Sequence, residues 1–143
     1  MGFLEKINLA ALGAGILALA WYLFSVVPQI GSVPVAEIAW KWPMGLSLGL
    51  FLVMLIATVI PLAMTDQTIR DESGIIDDER DRAIELRGDA WSGNVMHLLA
   101  FLALILVFFD APGFWVAQTL YVGGMGSGLI SIAVKVADYR RGA

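Results

Sequence analysis

Four apolar runs, each close to the length of a bilayer crossing, constrain this chain more than any other feature of its sequence. They cover residues 7–27, 45–64, 94–109 and 114–134 and contain no Asp, Glu, Lys or Arg. A helix that rises 1.5 Å per residue needs about 20 apolar residues to cross a hydrocarbon core of about 30 Å. The predicted fold class is therefore an all-α integral membrane protein, a single domain of four transmembrane helices.

The composition agrees with lipid as part of the solvent. Hydrophobic residues make up 59% of the 143 residues and charged residues only 15%, a balance that a soluble domain of this size does not show. Nine of the 13 acidic residues fall between Asp66 and Asp89, so the net charge of −4 describes one segment. The sequence has no basic patch for nucleic acid. Because it has no cysteine, disulfides, thiolate metal sites and cysteine nucleophiles are excluded.

The distribution of Lys and Arg predicts the orientation, because basic residues near the ends of spans favour the cytoplasmic side. With four crossings, one side holds Lys6, Arg70, Arg80, Arg82, Arg87, Lys135, Arg140 and Arg141. The other side holds only Lys41. The N-terminus, the acidic segment 65–92 and the C-terminus are therefore predicted to lie in the cytoplasm.

The acidic segment 65–92 has the most ordered polar pattern of the chain. Asp78 is a suitable N-cap, acidic residues follow it in the first turn, and Arg82 stands four residues further on, where it can pair with Asp78. Only two glycines interrupt the helical pattern before the third apolar run. We expect one long helix that begins in water near Asp78, passes Trp91 at the interface and enters the bilayer near Asn94.

The two connections on the opposite side differ in length. The longer one, residues 29–43, contains Trp40 and Trp42, whose rings favour the headgroup layer. We expect a short helix that lies on the membrane within residues 35–42. The shorter one, residues 110–113, has the composition of a tight turn.

His97 is the only histidine of the chain. It lies three residues after Asn94, so the two side chains project from about the same face of the helix. One interpretation is a haem ligand, which would need a second chain to complete a bis-histidine site. The other, which we favour, is a structural histidine that donates to a backbone carbonyl or to Asn94. The sequence predicts no resident cofactor and no metal site.

Small residues form the strongest pattern inside the spans. Gly45 and Gly49 in the second span, and Gly124 and Gly128 in the fourth, have the spacing of four that lets helix backbones approach closely. We assign them to helix packing, within the chain in preference to a homo-oligomeric face. No acidic or basic residue lies near the midplane of a span, which argues against transport by one chain alone.

The stretch from Asp78 to Arg87 reads Asp-Glu-Arg-Asp-Arg-Ala-Ile-Glu-Leu-Arg. It resembles the Asp-Glu-Arg-Asp/Glu-x-x-Ile motif of a family of small prokaryotic membrane proteins classed as a domain of unknown function. In that family the motif precedes the third of four spans, as it does here, although Gly88 stands where members often carry alanine. The resemblance implies a location in the prokaryotic cytoplasmic (inner) membrane and a similarity to membrane proteins that accompany a small DNA-binding regulator.

These patterns predict a non-catalytic integral membrane protein, not an enzyme, that presents a charged cytoplasmic helix to a protein partner, with a regulatory role as one form of this function. The partner-binding residues carried over from the motif are Asp78, Glu79, Arg80, Asp81 and Ile84. A plain solvated face, stabilised by its own charge pairs, is weighed equally. Two alternatives stay open: an accessory subunit of a larger membrane complex, packed through its glycine faces, and a haem-binding oligomer that uses His97.

Overall fold

The computed structural model describes residues 3–65 and 79–141, and most of them lie in four long helices. These are α1 (Phe3–Val26), α2 (Lys41–Thr65), α3 (Glu79–Phe108) and α4 (Gly113–Arg141). All four are long and apolar enough to cross a membrane. The prediction of a helical chain with four candidate spans is confirmed for the described residues, and four such helices indicate a multi-pass membrane protein.

The third helix is continuous from Glu79 to Phe108 and includes Gly88 and Gly93. It ends because Asp110 adopts a left-handed backbone conformation with φ of 53°. The N–H groups of Asp110 and Ala111 then donate to the carbonyls of Val107 and Leu106, at 3.0 and 2.9 Å. This pattern satisfies two of the last carbonyls of the helix, and an aspartate tolerates the conformation better than most residues do.

The connection between α1 and α2 contains one short helical element within the predicted stretch 35–42. It is a single 3₁₀ turn, Val35–Glu37, and α2 begins at Lys41. Ile38 is buried, and Trp40 packs edge-on against Phe114 with ring centroids 6.4 Å apart. These contacts hold the connection against the adjacent ends of the helices.

The first helix is central to the packing. It packs against both α2 and α4, and α4 in turn packs against α3, so the extensive contacts follow the order α2–α1–α4–α3. Small residues make this possible: Ala14 and Ala18 are buried, and a Cβ at Gly15 would meet Leu129 of α4 and Phe51 of α2. Close approach of backbones is the usual basis of helix association in lipid.

A polar chain links three helices inside this packing. The Tyr121 hydroxyl donates to Ser47 at 2.6 Å, and the Ser47 hydroxyl donates to the Ala18 carbonyl at 2.7 Å. Tyr22 packs edge-on against Tyr121, with ring centroids 4.7 Å apart.

The helices have two ends that differ in character. The tyrosine and serine side chains just described lie towards the end that carries residues 27–40 and 109–112, which we call the connection end. We call the opposite end, where α1 and α3 begin and α4 ends, the charged end.

Candidate functional site

A buried lysine organises the charged end. Lys135 of α4 has a side chain that is only 9% exposed. Its ammonium donates to Glu85 and, at 2.8 Å, to the carboxylate of Asp89. The two carboxylates stand four residues apart on α3 and therefore share one helix face. Pairing offsets the cost of removing the ammonium from water.

Glu85 brings a third helix into the same cluster. Its Oε1 accepts a hydrogen bond from Asn8 of α1 at 3.1 Å and one from the Tyr139 hydroxyl of α4 at 3.4 Å. We name these five residues the Lys135 cluster: Asn8, Glu85, Asp89, Lys135 and Tyr139. The cluster joins the beginnings of α1 and α3 to the end of α4.

Two more contacts fix α3 against α4 beside the cluster. The Ser131 hydroxyl donates to the Gly88 carbonyl at 2.8 Å. Arg87 forms an ion pair with Asp138 at 3.6 Å, although its own side chain is 67% exposed. A Cβ at Gly88 would lie 2.7 Å from the Lys135 Cγ, so the lysine stem lies directly against the α3 backbone only because residue 88 is glycine.

The chemistry available at the Lys135 cluster is electrostatic. One ammonium is shared between two carboxylates, and the Asp89 side chain is 69% exposed, so water and ions can reach it. Within the described ranges, no group of three or more His, Asp or Glu residues is placed to hold a metal ion. The arrangement holds helices together and fixes the start of α3.

The predicted partner-binding residues have different positions. Asp78 lies outside the described residues, Glu79 begins α3, and the side chains of Glu79, Arg80 and Asp81 are also outside the description. Ile84 is 5% exposed and contributes to the interior of the chain.

Sequence reasoning missed the exposed face next to these residues. Leu86 is 62% and Trp91 61% exposed, and the Arg87 side chain is 67% exposed although it pairs with Asp138. Five helical positions separate Leu86 from Trp91, about 140° around the axis, so the three side chains cover a wide sector of α3 and not one narrow stripe. We call this exposed sector of Leu86, Arg87 and Trp91 the α3 outer face. The sequence contains one signal for this exposed face: Leu86 is an apolar residue within a strongly charged stretch.

The predicted packing glycines divide into two groups. A Cβ at Gly124 would make ordinary contact with Met96 of α3, 3.7 Å from its sulfur, whereas a Cβ at Gly45, Gly49 or Gly128 would meet nothing within 4 Å. These three glycines therefore make no close helix contact within the described part of the chain. Gly123 does, since a Cβ there would lie 2.7 Å from Leu99.

His97 is exposed on α3, and its Nδ1 donates to the Gly93 carbonyl at 2.7 Å. This is one of the hydrogen bonds that the sequence suggested, and it leaves Nε2 able to act as a ligand. Haem binding through His97 in an oligomer stays the alternative to the structural histidine that the sequence favours. It would give a Soret band that disappears in His97→Ala, and a colourless preparation of the native protein would contradict it.

Comparison with known proteins found no match to this chain. No protein-family model, no curated protein and no solved structure matches the chain. The resemblance to the small prokaryotic membrane proteins therefore stays a prediction that rests on the motif from Asp78 to Arg87.

Proposed function

We propose that this chain is a non-catalytic membrane protein that presents the beginning of α3 to a soluble protein partner. One observation carries the proposal: the start of α3 is fixed on one side by the Lys135 cluster, while the α3 outer face stays exposed. A fixed helix binds more tightly than a flexible one, because less conformational entropy is lost on binding. Trp91 and Arg87 are of the residue types that are enriched at protein interfaces, and exposed Leu86 adds apolar area beside them.

The orientation is part of the same proposal. If each of the four candidate spans crosses the membrane, the sequence puts every Lys and Arg except Lys41 on the side of the charged end, which favours the cytoplasm for that side. The partner is then a cytoplasmic protein, and a regulator held at a prokaryotic inner membrane is the form that the sequence motif suggests.

Photocrosslinking tests this proposal with a matched control. A benzophenone side chain is introduced at Leu86 or at Leu104, which are 62% and 66% exposed on the same helix. We expect an adduct with a water-soluble protein from Leu86 and not from Leu104, which lies in the apolar part of α3. The adduct should weaken in Lys135→Met, because that change releases the start of α3. Absence of any adduct at Leu86, or the same adduct from both positions, would contradict the proposal.

A second candidate function, a subunit of a larger membrane assembly, is favoured by the open face of α2. This helix packs mainly against α1, and a Cβ at Gly45 or Gly49 would meet nothing within 4 Å. A crosslinker at Leu52, which is 53% exposed on α2, should then join the chain to another membrane-spanning protein or to a second copy. Adducts with lipid alone would remove this candidate.

A further inference from the structure

Two polar side chains of α3, Asn94 and His97, are exposed within its candidate span. The His97 Nδ1 donates to the Gly93 carbonyl of its own helix, which leaves Nε2 free to accept a hydrogen bond. None of the described residues forms a hydrogen bond with the Asn94 carboxamide, which carries two N–H donors and an oxygen acceptor. Both side chains can therefore take hydrogen bonds that the described part of the chain does not supply.

The acidic residues at the two ends of the span indicate how deep these side chains lie. Asp89, which pairs with Lys135, and Asp110, in the turn after α3, are 21 residues apart, a rise of about 30 Å. That separation matches the thickness of a hydrocarbon core. Asn94 is five residues and His97 eight residues inward from Asp89, about 8 and 12 Å along the helix. At that depth lipid offers no hydrogen-bond partner, and an unpaired polar group costs free energy.

Asn94 and His97 begin a stripe of exposed residues that are spaced three or four apart along α3. Its other members, which are 62–82% exposed, are Phe101, Leu104 and Phe108. Buried Ala103 lies on the other side of the helix, and α3 packs mainly against α4, so the stripe faces away from α4. Helices that pack side by side over several turns use this spacing.

The hydrogen-bonding groups of the stripe favour a second copy of the chain as its partner. Two copies inserted in the same orientation bring their α3 helices together in parallel about a two-fold axis, so that equivalent residues meet at one level. Each Asn94 carboxamide can then donate to the oxygen of the other, because an amide carries both donor and acceptor. His97 lies about 4.5 Å deeper, where its Nε2 can accept a remaining N–H.

We infer that the chain forms a parallel homodimer through α3, held by hydrogen bonds between the two Asn94 carboxamides and packed along Phe101, Leu104 and Phe108. The interface lies within the membrane. It includes neither the α3 outer face nor the open face of α2, so a failure of this inference leaves both proposed functions standing.

Cysteine crosslinking in the membrane tests the interface, since the native chain has no cysteine. Phe101 belongs to the stripe, whereas Leu102, which is 45% exposed, lies about 100° around the same helix. With copper phenanthroline as oxidant, we expect Phe101→Cys to form a disulfide-linked dimer and Leu102→Cys to stay monomeric. No dimer from Phe101→Cys, or an equal yield from both variants, would overturn the inference.

Variants of Asn94 measure the hydrogen bonds themselves. The full-length chain is labelled at its C-terminus with a fluorescent donor or acceptor, and energy transfer in detergent micelles gives the dimer dissociation constant. We expect Asn94→Leu to raise this constant about three- to fifteenfold, the usual effect of an interhelical hydrogen bond in a membrane. Asn94→Gln keeps the carboxamide and should retain most of the affinity. A monomeric native chain, or an unchanged constant in Asn94→Leu, would overturn the inference.

A matched control separates the Asn94 contact from a general effect of removing a polar group. The Thr119 hydroxyl donates to the Trp115 carbonyl of its own helix at 2.9 Å, so Thr119→Val should leave the dissociation constant unchanged. An equal loss of affinity in Thr119→Val and Asn94→Leu would contradict the inference. Because Asn94 is exposed, its replacement should not alter helicity, which circular dichroism checks. If Asn94→Leu does not fold, the crosslinking comparison of Phe101→Cys with Leu102→Cys still decides.

Discussion

A lysine ammonium among apolar helices is costly unless it is paired, and Lys135 has two carboxylates within hydrogen-bonding distance. From the sequence, Lys135 stands at the end of a span, where a long side chain can extend to the headgroups. The structure instead turns it towards α3. The sequence alone could not show this, because the direction depends on which helix is the neighbour and on the space that Gly88 leaves.

Replacing this lysine should destabilise the chain measurably. In Lys135→Met the Glu85 and Asp89 carboxylates lose their common partner. We expect the free energy of unfolding to fall by about 2 kcal/mol, less than the 3–5 kcal/mol typical of a fully buried pair because Asp89 is largely exposed. Unfolding by sodium dodecyl sulfate in mixed micelles measures this. The control Arg140→Met, at an exposed position of the same helix, should change stability by less than about 0.5 kcal/mol; equal losses in both variants would contradict the role given to Lys135.

The presence of the four helices was easier to predict than the residues against which each segment packs. The apolar runs predicted the four candidate spans, whereas the predicted N-cap at Asp78 lies outside the described residues. In the segment 35–42 the short helix is only the 3₁₀ turn Val35–Glu37, and the burial of Ile38 and the contact of Trp40 with Phe114 were not predicted. Local sequence carries no information about such distant partners.

The contact between α3 and α4 predicts opposite effects for two glycines of α3. Gly88→Ala should lower the free energy of unfolding by about 1–2 kcal/mol, because the new methyl group would displace Lys135 from its carboxylates. Gly93→Ala meets nothing within 4 Å and should raise stability by up to about 1 kcal/mol through helix propensity. The same unfolding assay compares the two variants. If Gly88→Ala were as stabilising as Gly93→Ala, the close contact of α3 with Lys135 would be wrong.

In the whole molecule, the order of helix contacts was beyond prediction from the sequence. Side chains that face lipid and side chains that face another helix are both apolar, so composition does not separate them. Gly45 and Gly49 illustrate this, since their spacing predicted close packing and the structure leaves them open, whereas Gly15 and Gly123 lie in tight contacts. The partner residues carried over from the motif were equally hard to judge, because burial of Ile84 depends on how α3 lies against its neighbours.

The proposed orientation places the α3 outer face in the cytoplasm and the connection end on the opposite side of the membrane. The native chain contains no cysteine, so single cysteines can be labelled without background. Leu86→Cys and Glu37→Cys, both at exposed positions, are treated with a membrane-impermeant maleimide in spheroplasts that overproduce the chain. We expect Glu37→Cys to react in intact spheroplasts and Leu86→Cys to react only after permeabilisation. Labelling of Leu86→Cys before permeabilisation, or its failure to react afterwards, would contradict the proposed orientation.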